Sequence, residues 1–194
     1  MVKLTGKKKI PIAVFISGRG SNLKSIYKHS NTKYSLIDLK LIISDKLRVK
    51  GVLFAKKNKI NTKIVNYENK NKAEKQIINS LSKNNIKLIC LAGFMRILSK
   101  NFINKYKNKI INIHPSLLPK YKGLNTHERV IKMKEKYSGC TIHFVTAKLD
   151  SGKIIIQKKV KIMKYDTPRS LAKKVLKLEN KLYPIAIKKV ISKI

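Results

Sequence analysis

Residues 10–22 read Ile-Pro-Ile-Ala-Val-Phe-Ile-Ser-Gly-Arg-Gly-Ser-Asn, an apolar run that goes straight into a glycine-rich turn. Ile10 to Ser17 is rich in β-branched and aromatic residues and predicts a first strand. Ser17-Gly18-Arg19-Gly20 predicts a turn, and residues 21–30 predict a helix with Ser21 or Asn22 near its cap. Working outward, strands are predicted at 36–44, 62–66, 86–92 and 109–113. Helices are predicted between them at 47–58, 70–84 and 99–106, the second with Ala73, Ile77, Ile78 and Leu81 on one face. From His114 to Gly123 the periodicity stops, and two prolines and a glycine predict an ordered loop. A helix at 125–135 follows. Strands at 139–146 and 153–162 are joined by a turn at Asp150-Ser151-Gly152. A long helix over 168–193 closes the pattern, with Pro168 suited to its first turn. Strands alternating with helices indicate an α/β fold with a mostly parallel central sheet flanked by helices. In such sheets ligands bind beyond the carboxyl ends of the strands, where strand order reverses.

A length of 194 residues fits one domain, and 43% apolar residues argue for a folded core. The longest apolar runs, such as Ile12 to Ile16 and Leu88 to Leu91, are too short to span a bilayer. The basic start followed by an apolar run has the outline of a signal peptide. No small-residue cleavage site follows it, so it reads as the first strand. Cys90 lies in an apolar run and suits a core position. Cys90 and Cys140 do not pair at a metal-site spacing, and nothing indicates an oxidising compartment. A cytoplasmic protein with free thiols is expected.

The net charge of +37 raises the prospect of nucleic acid or an anionic surface as partner. Only five of the 46 basic residues are Arg, and the lysines are spread along the whole chain. Phosphate and base recognition favours Arg. Lys, Asn and Ile are abundant together, and all have AT-rich codons, so genome drift explains the mixture. Nucleic acid is expected to bind only non-specifically, through charge. No membrane partner is expected, and the chain should be a monomer or a homodimer.

Three stretches carry chemistry. Ser17 to Asn22 joins a strand to a helix, and its glycines and free helix-start N–H groups suit a phosphate. Leu23 stands where a dinucleotide fingerprint has its third glycine, so a phosphate monoester fits better than NAD. The same residues also fit a plain tight turn. Asn112 and His114 end a strand and point to the same side. An amide donor beside an imidazole suits the oxyanion of a tetrahedral intermediate. A hydrogen-bonded pair at a strand end fits equally. Asp150 lies in a turn, where a carboxylate usually makes an Asx-turn, and it matters chemically only if it faces His114. His29 ends a helix, His127 starts one, and His143 alternates within a strand as a core residue would. No metal site is expected, because no His, Cys or carboxylate set has ligand spacing.

Together these residues resemble the phosphoribosylglycinamide formyltransferases. The resemblance runs through SGRGSN (17–22), LAGFMRILS (91–99), NIHPSLLPKYKG (112–123), TIHFVT (141–146), LDSG (149–152), Glu179 and Tyr183-Pro184. It implies one Rossmann-like domain over residues 1–194. The N-terminal half would bind phosphate, and the C-terminal half would bind folate and carry catalysis. It implies 10-formyltetrahydrofolate as co-substrate, glycinamide ribonucleotide as acceptor, and a role in purine biosynthesis. Asn112, His114 and Asp150 would be the catalytic trio. Gly18, Gly20, Ser21 and Asn22 would hold the substrate phosphate, and Glu179 its glycinamide end. Met95, Arg96, Ile97, Leu98, Asn112 and the segment Thr146, Ala147, Lys148, Leu149 and Asp150 would line the folate pocket. Lys70 stands at or near a position where the family carries Arg.

The chain departs from the family at Asn125, where His is common, and at Ala147, where an acidic residue is common. It also ends at Ile194, short of the family's usual C-terminal extension. Asp150 is expected to raise the His114 pKa and so favour an imidazolium facing the formyl oxygen. Methionyl-tRNA formyltransferase and formyltetrahydrofolate deformylase share related chemistry, but each would need a further domain. A nucleic-acid binder on a retired enzyme fold rests on charge alone.

Overall fold

The computed structural model describes residues 8–193. β1 (Ile10–Ile16) leads to α1 (Ser21–Ser30), and β2 (Ile37–Ser44) to α2 (Lys50–Lys57). β3 (Asn61–Ile64) leads to α3 (Lys70–Lys83), and β4 (Leu88–Leu91) to α4 (Lys100–Lys105). β5 (Ile110–His114) is followed by a loop and α5 (Thr126–Lys132). Then come β6 (Tyr137–Phe144), β7 (Ile154–Lys161) and α6 (Pro168–Ile191). Each element expected from the pattern is present, with ends moved by a few residues. The basic start considered as a signal segment, residues 1–7, lies outside the described residues. No helix among the described residues is long and apolar enough to cross a membrane.

One sheet takes all seven strands in the order β3-β2-β1-β4-β5-β6-β7. The first five are parallel, and β6 and β7 join antiparallel. Strand order reverses between β1 and β4, so a crevice opens beyond their carboxyl ends. The segments after β1, β4 and β5 all start there.

Helices cover both faces, which is why the central strands are apolar on both sides. β4 is buried along its whole length, and β1 from Ile12 to Ile16. One face packs against α1, α2, α5 and α6 through Leu23, Val52, Val130 and Ile187. The other packs against α3 and α4 through Ala73, Ile77, Leu81 and Phe102. On α3 the expected face is corrected at one position. Ile78 is only partly buried, while the charged Glu74 is buried because the start of α4 hydrogen-bonds to it.

The start of α1 is also corrected. Its N-cap is Gly20, at φ +70°, with no side-chain cap bond. A Cβ at Gly20 would stand 2.7 Å from the Cα of Gly51, and Gly51 N–H donates to the Gly18 carbonyl at 3.0 Å. The turn is therefore pressed against the first turn of α2, which leaves no room for a side chain at either glycine. α6 begins with a capping box between Thr167 and Ser170, with Pro168 next to the cap as expected. Its fully buried Tyr183 donates to the Leu91 carbonyl at 2.8 Å, with the Ile111 carbonyl 3.3 Å away. That bond fixes α6 against the ends of β4 and β5.

Candidate active site

β5 ends with Asn112 and His114 on one side of the sheet. Antiparallel pairing sets Asn112 opposite His143 of β6, and the Asn112 amide nitrogen lies 3.3 Å from His143 Nε2. His143 Nδ1 lies 2.8 Å from the Phe144 carbonyl. A carbonyl only accepts, so Nδ1 carries the hydrogen and Nε2 accepts from Asn112. The amide of Asn112 is thereby oriented, with its second N–H left for another acceptor.

Asp150 closes the cluster. Its Oδ2 accepts the Gly123 N–H at 2.9 Å and lies 3.4 Å from His114 Nδ1. Its Oδ1 lies 3.7 Å from His143 Nε2. The backbone of Asp150 is left-handed, at φ +44°. A Cβ at Gly152 would fall 1.7 Å from the Phe144 carbonyl oxygen, so the turn closes tightly only with glycine there. The other ring nitrogen of His114, Nε2, donates to the Tyr121 carbonyl at 2.9 Å.

Burial lowers the His114 pKa and outweighs the Tyr121 carbonyl and the Asp150 charge, both of which raise it. His143 and Arg129 lower it further. Asp150 thus acts on His114 in the expected direction, but burial outweighs it and the net shift is downward. Burial pushes Asp150 up, but His143, the Gly123 N–H and His114 together hold its carboxyl below the usual range. The resting pair is therefore a neutral imidazole beside a carboxylate.

At the other end of the crevice, α1 presents the free N–H groups of its first turn beside Gly18 and Gly20. One amide N–H of Asn22 is turned toward α6. The side chain is buried and donates to Glu179 Oε2 of α6 at 2.8 Å. Burial, partly opposed by that bond, pushes Glu179 up to about 7. Ser17 links this loop to the segment after β4. Its N–H donates to the Gly93 carbonyl at 3.1 Å, and its Oγ accepts the Met95 N–H at 2.9 Å.

In that segment Met95 and Ile97 are exposed and Leu98 is buried. Arg96 lies across Asp45 and the Tyr67 ring. Facing solvent on the other flank, Thr146, Ala147, Lys148 and Leu149 are exposed, and Thr146 Oγ1 donates to the Lys148 carbonyl at 3.1 Å. Lys70 is the first residue of α3. Among the described residues no group of three or more His, Cys, Asp or Glu is placed to hold a metal ion.

Several residues of the cluster were not singled out from sequence. His143 alternates as a core residue does, and only its cross-strand register with Asn112 reveals more. Tyr121 and Gly123 act through backbone atoms, which sequence does not mark. His127, read only as the start of a helix, has a buried Nδ1 with no partner among the described residues. Burial first, then the His114 charge, lowers its pKa.

A formyl transferase family pattern matches residues 10–187. The trifunctional purine biosynthetic protein adenosine-3 of Homo sapiens is 40% identical over 189 residues, 96% of this chain but 19% of that protein. The chain thus spans between about a seventh and a fifth of the length of the trifunctional relatives it matches. The phosphoribosylglycinamide formyltransferase of Haemophilus influenzae is 37% identical over 180 residues, covering 91% of this chain and 85% of that one. The crystal structure of phosphoribosylglycinamide formyltransferase from Brucella melitensis superposes with a TM-score of 0.90 at 38% identity, covering 94% of this chain and 95% of that one. From the strand–turn–helix at its start to the last helix, the chain belongs to the formyl transferase family.

Proposed function

We propose that the chain transfers the formyl group of 10-formyltetrahydrofolate to the amine of glycinamide ribonucleotide. The observation that carries this is the meeting of Asn112, His114 and Asp150 at the carboxyl end of β5, in a chain whose relatives bear that enzyme's name.

The phosphate of the acceptor suits the N–H groups at the start of α1, and its amine end suits Glu179. The amine nitrogen attacks the formyl carbon, and the carbonyl electron pair moves to oxygen. The free N–H of Asn112 donates to that oxyanion. His114 must exchange its bond to the Tyr121 carbonyl for the oxyanion, or share it. Negative charge developing beside the imidazole offsets the effect of burial and favours the cation at that moment. Asp150 accepts the proton of the attacking amine, directly or through a water. The carbon–nitrogen bond to the folate then breaks, and the leaving nitrogen takes a proton from His114. That proton is the one Asp150 took from the amine and passed to His114, so the pair ends as the neutral imidazole and carboxylate it began as. The scheme requires no metal and no covalent enzyme intermediate.

The test is turnover by purified protein given both substrates, followed through the folate product by absorbance. Turnover that needs both, and persists with a chelator, supports the proposal. A folded protein with no turnover would refute it.

A further inference from the structure

The segment after β4 is held from three sides. Ser17 of the β1 turn accepts the Met95 N–H at 2.9 Å. Asp45, just past β2, accepts the Arg96 guanidinium Nε–H at 2.6 Å. Glu74 of α3 accepts the Ser99 N–H at 2.8 Å through one oxygen and the Ser99 hydroxyl through the other. Ser99 in turn caps α4, accepting the Phe102 N–H at 3.0 Å.

Two of these anchors are carboxylates with buried side chains. The Asp45 side chain is fully buried, and its Oδ1 has no partner among the described residues. Glu74 takes a core position on α3 that an apolar residue would otherwise fill. Burying a carboxylate is costly unless a directed partner offsets it, and each carboxylate here is directed at one end of a four-residue stretch. The Tyr67 ring completes the clamp. Its centroid is 5.9 Å from the Arg96 guanidinium carbon, and the ring packs edge-on against Phe94. Arg96 therefore lies along the protein rather than reaching toward an anionic ligand.

We propose that Asp45 and Glu74 are positioning residues for the folate-side loop. Asp45 holds Arg96 by its guanidinium and Glu74 holds Ser99 by its backbone N–H and hydroxyl, so that the N–H and C=O groups between meet the folate heterocycle in one register. The inference rests on reading residues 95–98 as part of the folate pocket. It adds two residues outside the matched motifs, one on each side of the loop. By this account the loop is rigid before folate arrives, and no ordering cost falls on binding.

The test uses the full chain with Asp45→Ala, Asp45→Asn and Glu74→Gln. The Michaelis constants for 10-formyltetrahydrofolate and for glycinamide ribonucleotide are measured separately. Calorimetry gives the Kd of a dideazafolate analogue. A misplacement of the loop by a fraction of an ångström should raise the folate KM and the analogue Kd by roughly tenfold in Asp45→Ala and by less in Glu74→Gln, which keeps an acceptor for the Ser99 N–H but loses the one for its hydroxyl. The acceptor KM should stay within about twofold of wild type. Asp45→Asn keeps an acceptor for Arg96, so it should recover part of the loss and still fold if Asp45→Ala does not. Unchanged folate constants in folded variants would overturn the inference, as would equal rises in both Michaelis constants. A wild-type chain that binds the analogue but gives no turnover would refute the formyl-transfer reading alone, and the Kd series would still decide the role of the loop.

Discussion

Asn22, in the first helix, and Glu179, in the last, share a buried hydrogen bond of 2.8 Å across 157 residues of sequence. The bond ties the start of α1 to α6, and it has a consequence for pH. Glu179 is raised by burial from 4.5 to about 7. A carboxyl raised on folding is stable in its protonated form, so its contribution is complete below about 4.5 and is lost as pH rises through about 7. The Glu179→Gln variant lacks this loss. Relative to wild type it should gain on the order of 3 kcal/mol between pH 5 and pH 8, from 1.36 kcal/mol per pKa unit. Urea denaturation of both proteins at the two pH values checks this, and parallel pH curves would refute it.

The same carboxyl gives a kinetic prediction. By the proposed function, an ionised Glu179 would attract the amine end of glycinamide ribonucleotide, and a protonated one would not. The KM for that substrate should fall as pH rises from 6 to 8, while the KM for the folate changes little. Initial rates with each substrate varied in turn measure the difference.

Asn112 is oriented by His143 rather than by chance packing. Asn112→Ala removes the proposed oxyanion donor and should cost about 3–4 kcal/mol of barrier, roughly 100- to 1,000-fold in kcat. His143→Phe leaves the amide but not its anchor, so it should lower kcat by less, with binding of both substrates retained. If His143→Phe matched wild type in kcat, the orienting role of His143 would be wrong.

Gly51→Ala places a methyl 2.6 Å from Ile16 Cδ1 and 2.9 Å from the Gly18 carbonyl. Either the turn at 17–20 shifts or α2 does. Stability should fall by about 1–3 kcal/mol, as for other overpacked sites. The KM for glycinamide ribonucleotide should rise more than that for the folate. Thermal unfolding and the two Michaelis constants read this together.

Both proposed substrates are anionic, and the chain carries a net charge of +37. Its field should speed their capture, so kcat/KM should fall as salt rises from 20 to 200 mM. A flat profile would leave the charge without a kinetic role.

The order of strands and helices was readable because periodicity changes sharply at each boundary, as at Ile16 to Gly20. The helix cap at Gly20 was not, because a left-handed cap depends on contact with Gly51 more than thirty residues away. Asn112 and His114 were readable as candidates from residue type and strand-end position, and Asp150 through the family resemblance, since alone it read as a turn carboxylate. Their meeting was not, since it depends on the register of β5 against β6 across the 115–136 segment. At His114 the net shift is downward although Asp150 acts in the expected direction. Charge partners can be read from sequence, but the degree of burial, which decides the sign here, cannot. Asp45 and Glu74 stayed hidden for a related reason. A carboxylate at a strand end or on a helix face reads as solvated until its partner is seen.

The measurement that bears most directly on the formyl-transfer account is mass analysis of the nucleotide after one turnover with formyl-labelled folate. Wild-type protein should move the label to the amine of glycinamide ribonucleotide, and Asp150→Asn should leave nearly all of it on the folate while still binding both substrates. Label that stays on the folate with the folded wild-type chain, or that moves equally fast with Asp150→Asn, would contradict the account.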